Sequence, residues 1–174
     1  MNAKKNAKKG VLKANPKVEG RIIAEFEGKV NYDLSLREAM AAANLPNGRL
    51  NLDQVKFKPY GYGLKKVKLV LLKMRKDPTK AEVRKCMAAN GAEVVGIMEL
   101  LALTKMSRKL PLARILALGT RLSMTKEEEM SGPGIGGFAR WNEYFFPKLE
   151  NGGLGLERTD ADLTENTLFL GMKK

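Results

Sequence analysis

Lysine is the residue type with which this sequence can do chemistry, and it is densest in the middle of the chain. Two short runs, 54–60 and 64–74, flank Gly61-Tyr62-Gly63, the pattern of two strands around a turn. With Tyr62 at the centre of that turn, Phe57 faces Val67 and Val55 faces Leu69 on one side. The same register sets Lys58 opposite Lys66 and Lys56 opposite Lys68 on the other side, and a slip of one residue would mix the two faces. Directly opposed like charges destabilise a ladder. An anion laid across the four lysines would relieve that repulsion, and Tyr60 on the same face would stack on a base. Lys65, Lys73, Arg75, Lys76, Lys80, Arg84 and Lys85 would widen the footprint. The alternative is that these lysines splay into water on their long stems.

Other chemistries are excluded by composition. The chain has no histidine and one cysteine, Cys86. A Ser-His-Asp triad, a Cys-His pair, a histidine metal ligand, a cysteine-rich zinc site and an internal disulfide are therefore all ruled out. Cys86 sits between Lys85 and Met87 and reads as a small buried apolar residue with no base to activate it.

The remaining motifs have structural readings. In Gly132-Pro133-Gly134-Ile135-Gly136-Gly137 the glycines are followed by Phe138-Ala139. A phosphate loop needs Gly-Lys-Ser/Thr there, and a dinucleotide fingerprint needs a helix to follow. A tight turn or bulge is expected instead. Glu127-Glu128-Glu129 reads as a charged, solvated loop over 126–129, and a cation would need distant oxygens to join it. Trp141 beside Arg140 has the chemistry to stack on a base, but between Phe138 and Phe145 it is placed as a core residue.

The elements that must position these residues follow from periodicity. Residues 21–32 alternate as a strand, with Ile22, Ala24, Phe26 and Gly28 sharing one parity. Ser35 to Glu38 and Thr79 to Glu82 are capping boxes, each opening a helix. Asn90-Gly91 ends the second helix, and 97–106 forms a third. Strands are expected over 113–120, 138–146, 154–156 and 167–170. This order gives an α+β fold, a single domain over 18–174 with a largely antiparallel sheet and about three short helices. Residues 1–17, with Asn-Ala-Lys-Lys twice over, form a basic tail that cannot bury a face.

The formal net charge is +13. Residues 54–90 hold eleven basic and two acidic side chains, a net of +9, and residues 1–30 add +5. Such an imbalance implies an anionic partner. No apolar run approaches the ~20 residues of a membrane span, and the basic start lacks the apolar stretch of a secretory signal. A cytoplasmic protein without membrane, metal or cofactor is expected.

From about residue 22 onward the order of segments resembles a small uncharacterised domain found in many bacterial hypothetical proteins. Asn31-Tyr32-Asp33, Ala92-Glu93-Val94-Val95, Glu99 to Leu103, Ile115 to Gly119 and Leu168 to Gly171 carry the resemblance. It implies a compact α+β domain from a bacterium or a phage, with no catalytic residue. The function expected is therefore non-enzymatic: binding of a polyanion, RNA or DNA alone or within a ribonucleoprotein, through the lysine-rich hairpin face. A protein-interaction or structural module, an inhibitor or assembly component with incidental lysines, is the other reading. It would co-purify with a defined polypeptide rather than with nucleic acid.

Overall fold

The computed structural model describes residues 19–45, 55–56, 61–107, 110, 113–119, 121–132, 135–151 and 153–174, with 55–56, 124–132 and 135–142 described by their backbone pairing. The expected tail over 1–17 lies outside these residues.

Alternation over 20–31 makes a long first strand, β1 (Gly20–Asn31), and it pairs antiparallel with β3 (Leu64–Met74) along its length. Helix α1 (Leu36–Ala42) lies between them in sequence. Its N-cap Ser35 accepts the Glu38 N–H, while the Glu38 carboxylate accepts the Ser35 N–H at 2.8 Å. Helix α2 (Lys80–Ala89) opens on the same reciprocal pair, Thr79 and Glu82. Both expected capping boxes are present.

The remaining elements are β2 (Val55–Lys56), β4 (Ala92–Val94), α3 (Ile97–Met106), β5 (Arg114–Leu116), β6 (Leu122–Gly132), β7 (Ile135–Glu150), β8 (Gly153–Arg158) and β9 (Thr167–Lys173). They build one nine-stranded sheet of order β1-β3-β9-β5-β7-β6-β2, with β4 on β9 and β8 on β7. Every pairing is antiparallel except β5 with β9. This is the α+β, largely antiparallel domain that the sequence implied.

The two faces bury different cores. On one, α2 sets Val83, Cys86 and Met87 against Val70, Leu72, Met74 and Phe169. On the other, α3 sets Leu100 and Leu103 against Leu69, Leu71, Ile115 and Leu168. Ile97 to Leu103 of α3 are all buried, as expected of a helix apolar on every side and enclosed by sheet. Gly28 lets that helix close on β1, because a Cβ there would meet the Met106 side chain at 2.6 Å.

A bulge at Ile23 corrects the single apolar face read for β1. Ile22 pairs with Leu72 but Ala24 with Leu71, so the chain shifts by one residue. Ile22 accordingly packs with the α2 core, while Ala24 and Phe26 pack with the α3 core.

Two further expectations are corrected. The charged loop over 126–129 lies inside β6, where Lys126 to Glu129 pair residue for residue with Trp141 to Phe138 of β7. Strand pairing overrides the solvation preference of consecutive carboxylates, since period-two geometry sends neighbours to opposite faces. The buried strand over 113–120 is shorter, 114–116. Ile115 pairs with Leu149 and Leu122 with Phe145, both along the β7 edge opposite β8. Ala117 donates its N–H to Pro147 O at 3.0 Å. From there to Leu122 is five steps against two along β7, so β5 and β6 do not run on as one strand. Leu118 stays buried, and the Arg84 guanidinium bonds its carbonyl at 3.1 Å. The glycine-rich segment marks the junction of β6 and β7, where Gly132 pairs with Ile135. Residues 133–134 between them lie outside the described residues.

Candidate nucleic-acid interface

Among the described residues the pairing proposed for the hairpin is absent: Val55 does not face Leu69, nor Lys56 Lys68. All of β3 from Leu64 pairs with β1, and β3 also pairs with β9, while Val55 and Lys56 pair with Met124 and Ser123 of β6. The physical reason is the run Leu69 to Leu72, every residue of which is fully buried. Four consecutive buried side chains need packing on both faces and a neighbour on both edges. A central position between β1 and β9 supplies these and a single hairpin partner does not. Lys58 and Tyr60 lie outside the described residues, and Lys56 is placed by its backbone only. Lys66 and Lys68 therefore face new partners, Lys29 and Glu27 of β1.

That exchange alters their electrostatics. Lys68 is relieved within the fold, with its Nζ 2.9 Å from Glu25 and 3.6 Å from Glu27. The hydrogen bond to Glu25 holds the Lys68 ammonium above its usual pKa and the Glu25 carboxyl below its own. These groups are exposed, so the pair adds little stability. Lys29 and Lys66, by contrast, stand directly opposite each other, both exposed, and among the described residues neither has a carboxylate within ion-pairing distance. Among the described residues the β1–β3 ladder carries two such like-charge pairs, this one and Arg21 opposite Lys73 at its far end.

The pair lies in a depression of about 840 Å³ at the end of the sheet, lined also by Lys65, Lys68 and Lys173, with Glu27 and Glu93 as its acidic members. The depression exists because α2 is shorter than the strands it covers. Ten helical residues span ~15 Å and eleven strand residues ~36 Å. The helix therefore covers Val70 to Met74 and leaves Leu64, Lys66 and Lys68 beyond its reach.

Next to Tyr32 and Lys65, which also line the depression, is a turn that sequence reading assigned to the hairpin. Tyr32 N–H donates to Gly63 O at 3.0 Å, and Gly63 N–H donates to Asp33 Oδ1 at 2.7 Å. Gly63 takes φ +72°, which a side chain would strain. This tie displays Tyr62, 81% exposed, with the Lys65 Nζ 5.0 Å from its ring centroid. Beneath the turn, Tyr32 donates its hydroxyl to Glu99 Oε1 at 2.5 Å. Burial, then this bond, push the Tyr32 phenol well above its usual pKa. The other oxygen of Glu99 accepts the Gly96 N–H at 3.0 Å, at the start of α3.

The other sequence candidates do not join this cluster. Arg75 and Lys76 follow the far end of β3, ~30 Å from Lys66 along the strand, while Lys80 and Arg84 sit on α2. Arg75 pairs with Glu19 at 2.5 Å, and Lys80 and Arg84 bond the backbone carbonyls of Ala161 and Leu118. Lys29 and Lys173 were missed, because only the β1–β3–β9 pairing brings them to Lys66, and Tyr62 was read only as the centre of the hairpin turn. Tyr62 carried one signal, its place between two glycines.

Among the described residues no group of three or more Cys, Asp or Glu is placed to hold a metal ion, and no helix is long and apolar enough to cross a membrane. Cys86 is buried, which raises its thiol pKa. No family model, curated protein or solved structure matches this chain. The resemblance carried by the short apolar segments therefore lends no residue a role.

Proposed function

We propose that this chain is a non-enzymatic nucleic-acid-binding protein whose contact surface is the basic end of the β1–β3–β9 sheet. The observation that carries the reading is the gathering of Lys29, Lys65, Lys66, Lys68 and Lys173 in one depression, with Lys29 and Lys66 opposed across two strands. Phosphates are the matching partner, because several at regular spacing neutralise several lysines at once and release their counterions. Lys29, Lys65 and Lys66 supply the charge, and Lys68 and Lys173 join them while remaining held, Lys68 by Glu25 and Lys173 by the Asn90 carbonyl and Glu25.

The test compares two double variants for binding to a labelled oligonucleotide. Lys29→Ser with Lys66→Ser is expected to weaken binding and to leave the fold no less stable, since it removes a repulsion worth about 0.2–1 kcal/mol. Arg75→Ser with Lys76→Ser, at the far end of β3, is expected to have the smaller effect on affinity. Equal losses from both pairs would point to diffuse attraction by the net charge and remove the assigned surface.

A further inference from the structure

We propose that the nucleic acid is bound single-stranded, with one unpaired base stacked on Tyr62. This rests on the reading of the sheet end as a nucleic-acid surface and specifies which form of nucleic acid fits it.

Two exposed apolar side chains stand beside the lysines, Tyr62 at 81% and Leu64 at 61% exposure. Ile23 and Tyr144 are the other large apolar side chains exposed among the described residues. Phosphate attraction explains the lysines and leaves this apolar pair without a role. The Tyr62 ring stands on a fixed base, because the next residue is tied on both sides, Gly63 N–H to Asp33 Oδ1 and Gly63 O to Tyr32 N–H. A ring presented this way loses less freedom on binding than one on a loose loop. Lys65 lies at one side of it, 5.0 Å from the centroid, and at 81% exposure the rest of the ring is open.

An aromatic face next to cations matches an unpaired base followed by its phosphate. A duplex keeps its base faces stacked inside and offers such a ring only backbone and groove edges. The ribose 2′-hydroxyl has no particular partner in this arrangement, so single-stranded DNA and RNA share the chemistry.

The experiment measures anisotropy of labelled oligo-thymidine and oligo-uridine of about 12 nucleotides, and of a duplex of equal length, at one salt concentration. Tighter binding of the single strands is expected. Tyr62→Ala should weaken single-strand binding by roughly 5- to 100-fold, the range for losing one stacked base. It should leave the duplex nearly unaffected, and Tyr62→Phe should retain the single-strand affinity. If Tyr62→Ala changes nothing while Lys29→Ser with Lys66→Ser weakens binding, the stacking proposal falls and the electrostatic reading stands. An equal loss on duplex and single strand also overturns the stacking proposal. No binding by the wild-type chain to any of the three probes overturns both.

Discussion

Tyr32 joins three parts of the molecule through one residue. Its hydroxyl reaches Glu99 at the start of α3, its backbone N–H holds the turn that carries Tyr62, and its ring lies 6.0 Å from the Lys65 ammonium. Tyr32→Phe would leave a buried carboxyl oxygen of Glu99 without its partner, a cost of about 1–3 kcal/mol at neutral pH. The pH dependence has a definite sign. Burial raises the phenol in the folded state, so its contribution is fully present below the unfolded tyrosine value of about 10 and is lost as pH rises above it. Urea unfolding of wild type and Tyr32→Phe should therefore differ most near neutrality, and the gap should narrow above about pH 10. A gap that stays constant would show that Tyr32 ionises alike in both states. The Tyr32–Glu99 bond was not legible in the sequence, because its partners lie 67 residues apart and tyrosine carries no local signal for such a contact. Cys86 was legible as a buried residue, because it shares a helical face with Val83 and Met87.

At the scale of elements, local signals proved sufficient where hydrogen bonds close within four residues. Thr79 and Glu82 define the start of α2 by themselves, as Ser35 and Glu38 do for α1. Thr79→Ala should cost about 1 kcal/mol and lower the thermal midpoint by roughly 2–4 °C for a chain of this size. A calorimetric scan checks this, and an unchanged midpoint would mean that the cap is dispensable. The Glu82 carboxyl is held below its usual pKa, first by the Thr79 backbone N–H. Its contribution is present above the unfolded value of about 4.3 and is lost as pH falls through the lower folded one. Glu82→Gln should flatten the acid-side loss of stability measured by urea unfolding between about pH 5 and 2, and an identical acid limb would contradict the assignment. Strand identity was legible in part: β3 begins and ends where the pattern placed it, but 126–129 of β6 was read as a loop and β4 was not read as a strand. Strand partners were not. The assumed hairpin satisfied two short strands locally, but β1 offered eleven paired positions and β9 the second edge that Leu69 to Leu72 require. Pairing is decided by the whole sheet, and period-two patterns say only which residues share a face.

Across the whole molecule, the surplus of positive charge is divided between two ends of one strand. Lys65, Lys66 and Lys68 lie near the start of β3, while Arg75, Lys76, Lys80 and Arg84 follow its end. The local excess over 54–90 was visible in composition, but its division was not, since an extended strand of eleven residues separates by ~36 Å what sequence places close together. At the far end, Glu19 and two backbone carbonyls occupy Arg75, Lys80 and Arg84. Lys29 and Lys66 at the near end, like Arg21 and Lys73 at the far end, stand opposed without an ion pair among the described residues. The near end is proposed as the binding surface because Lys65, Lys68 and Lys173 line the same depression and Tyr62 stands beside Lys65. The most direct test is the salt dependence of wild-type binding to single-stranded oligonucleotide, set beside the variant in which Lys29, Lys65, Lys66 and Lys173 are serine. Wild type is expected to show a straight line of log affinity against log salt, and the variant a slope shallower by up to about 4 × 0.7. Coincident slopes, or a wild-type affinity that does not fall with salt, would contradict the account.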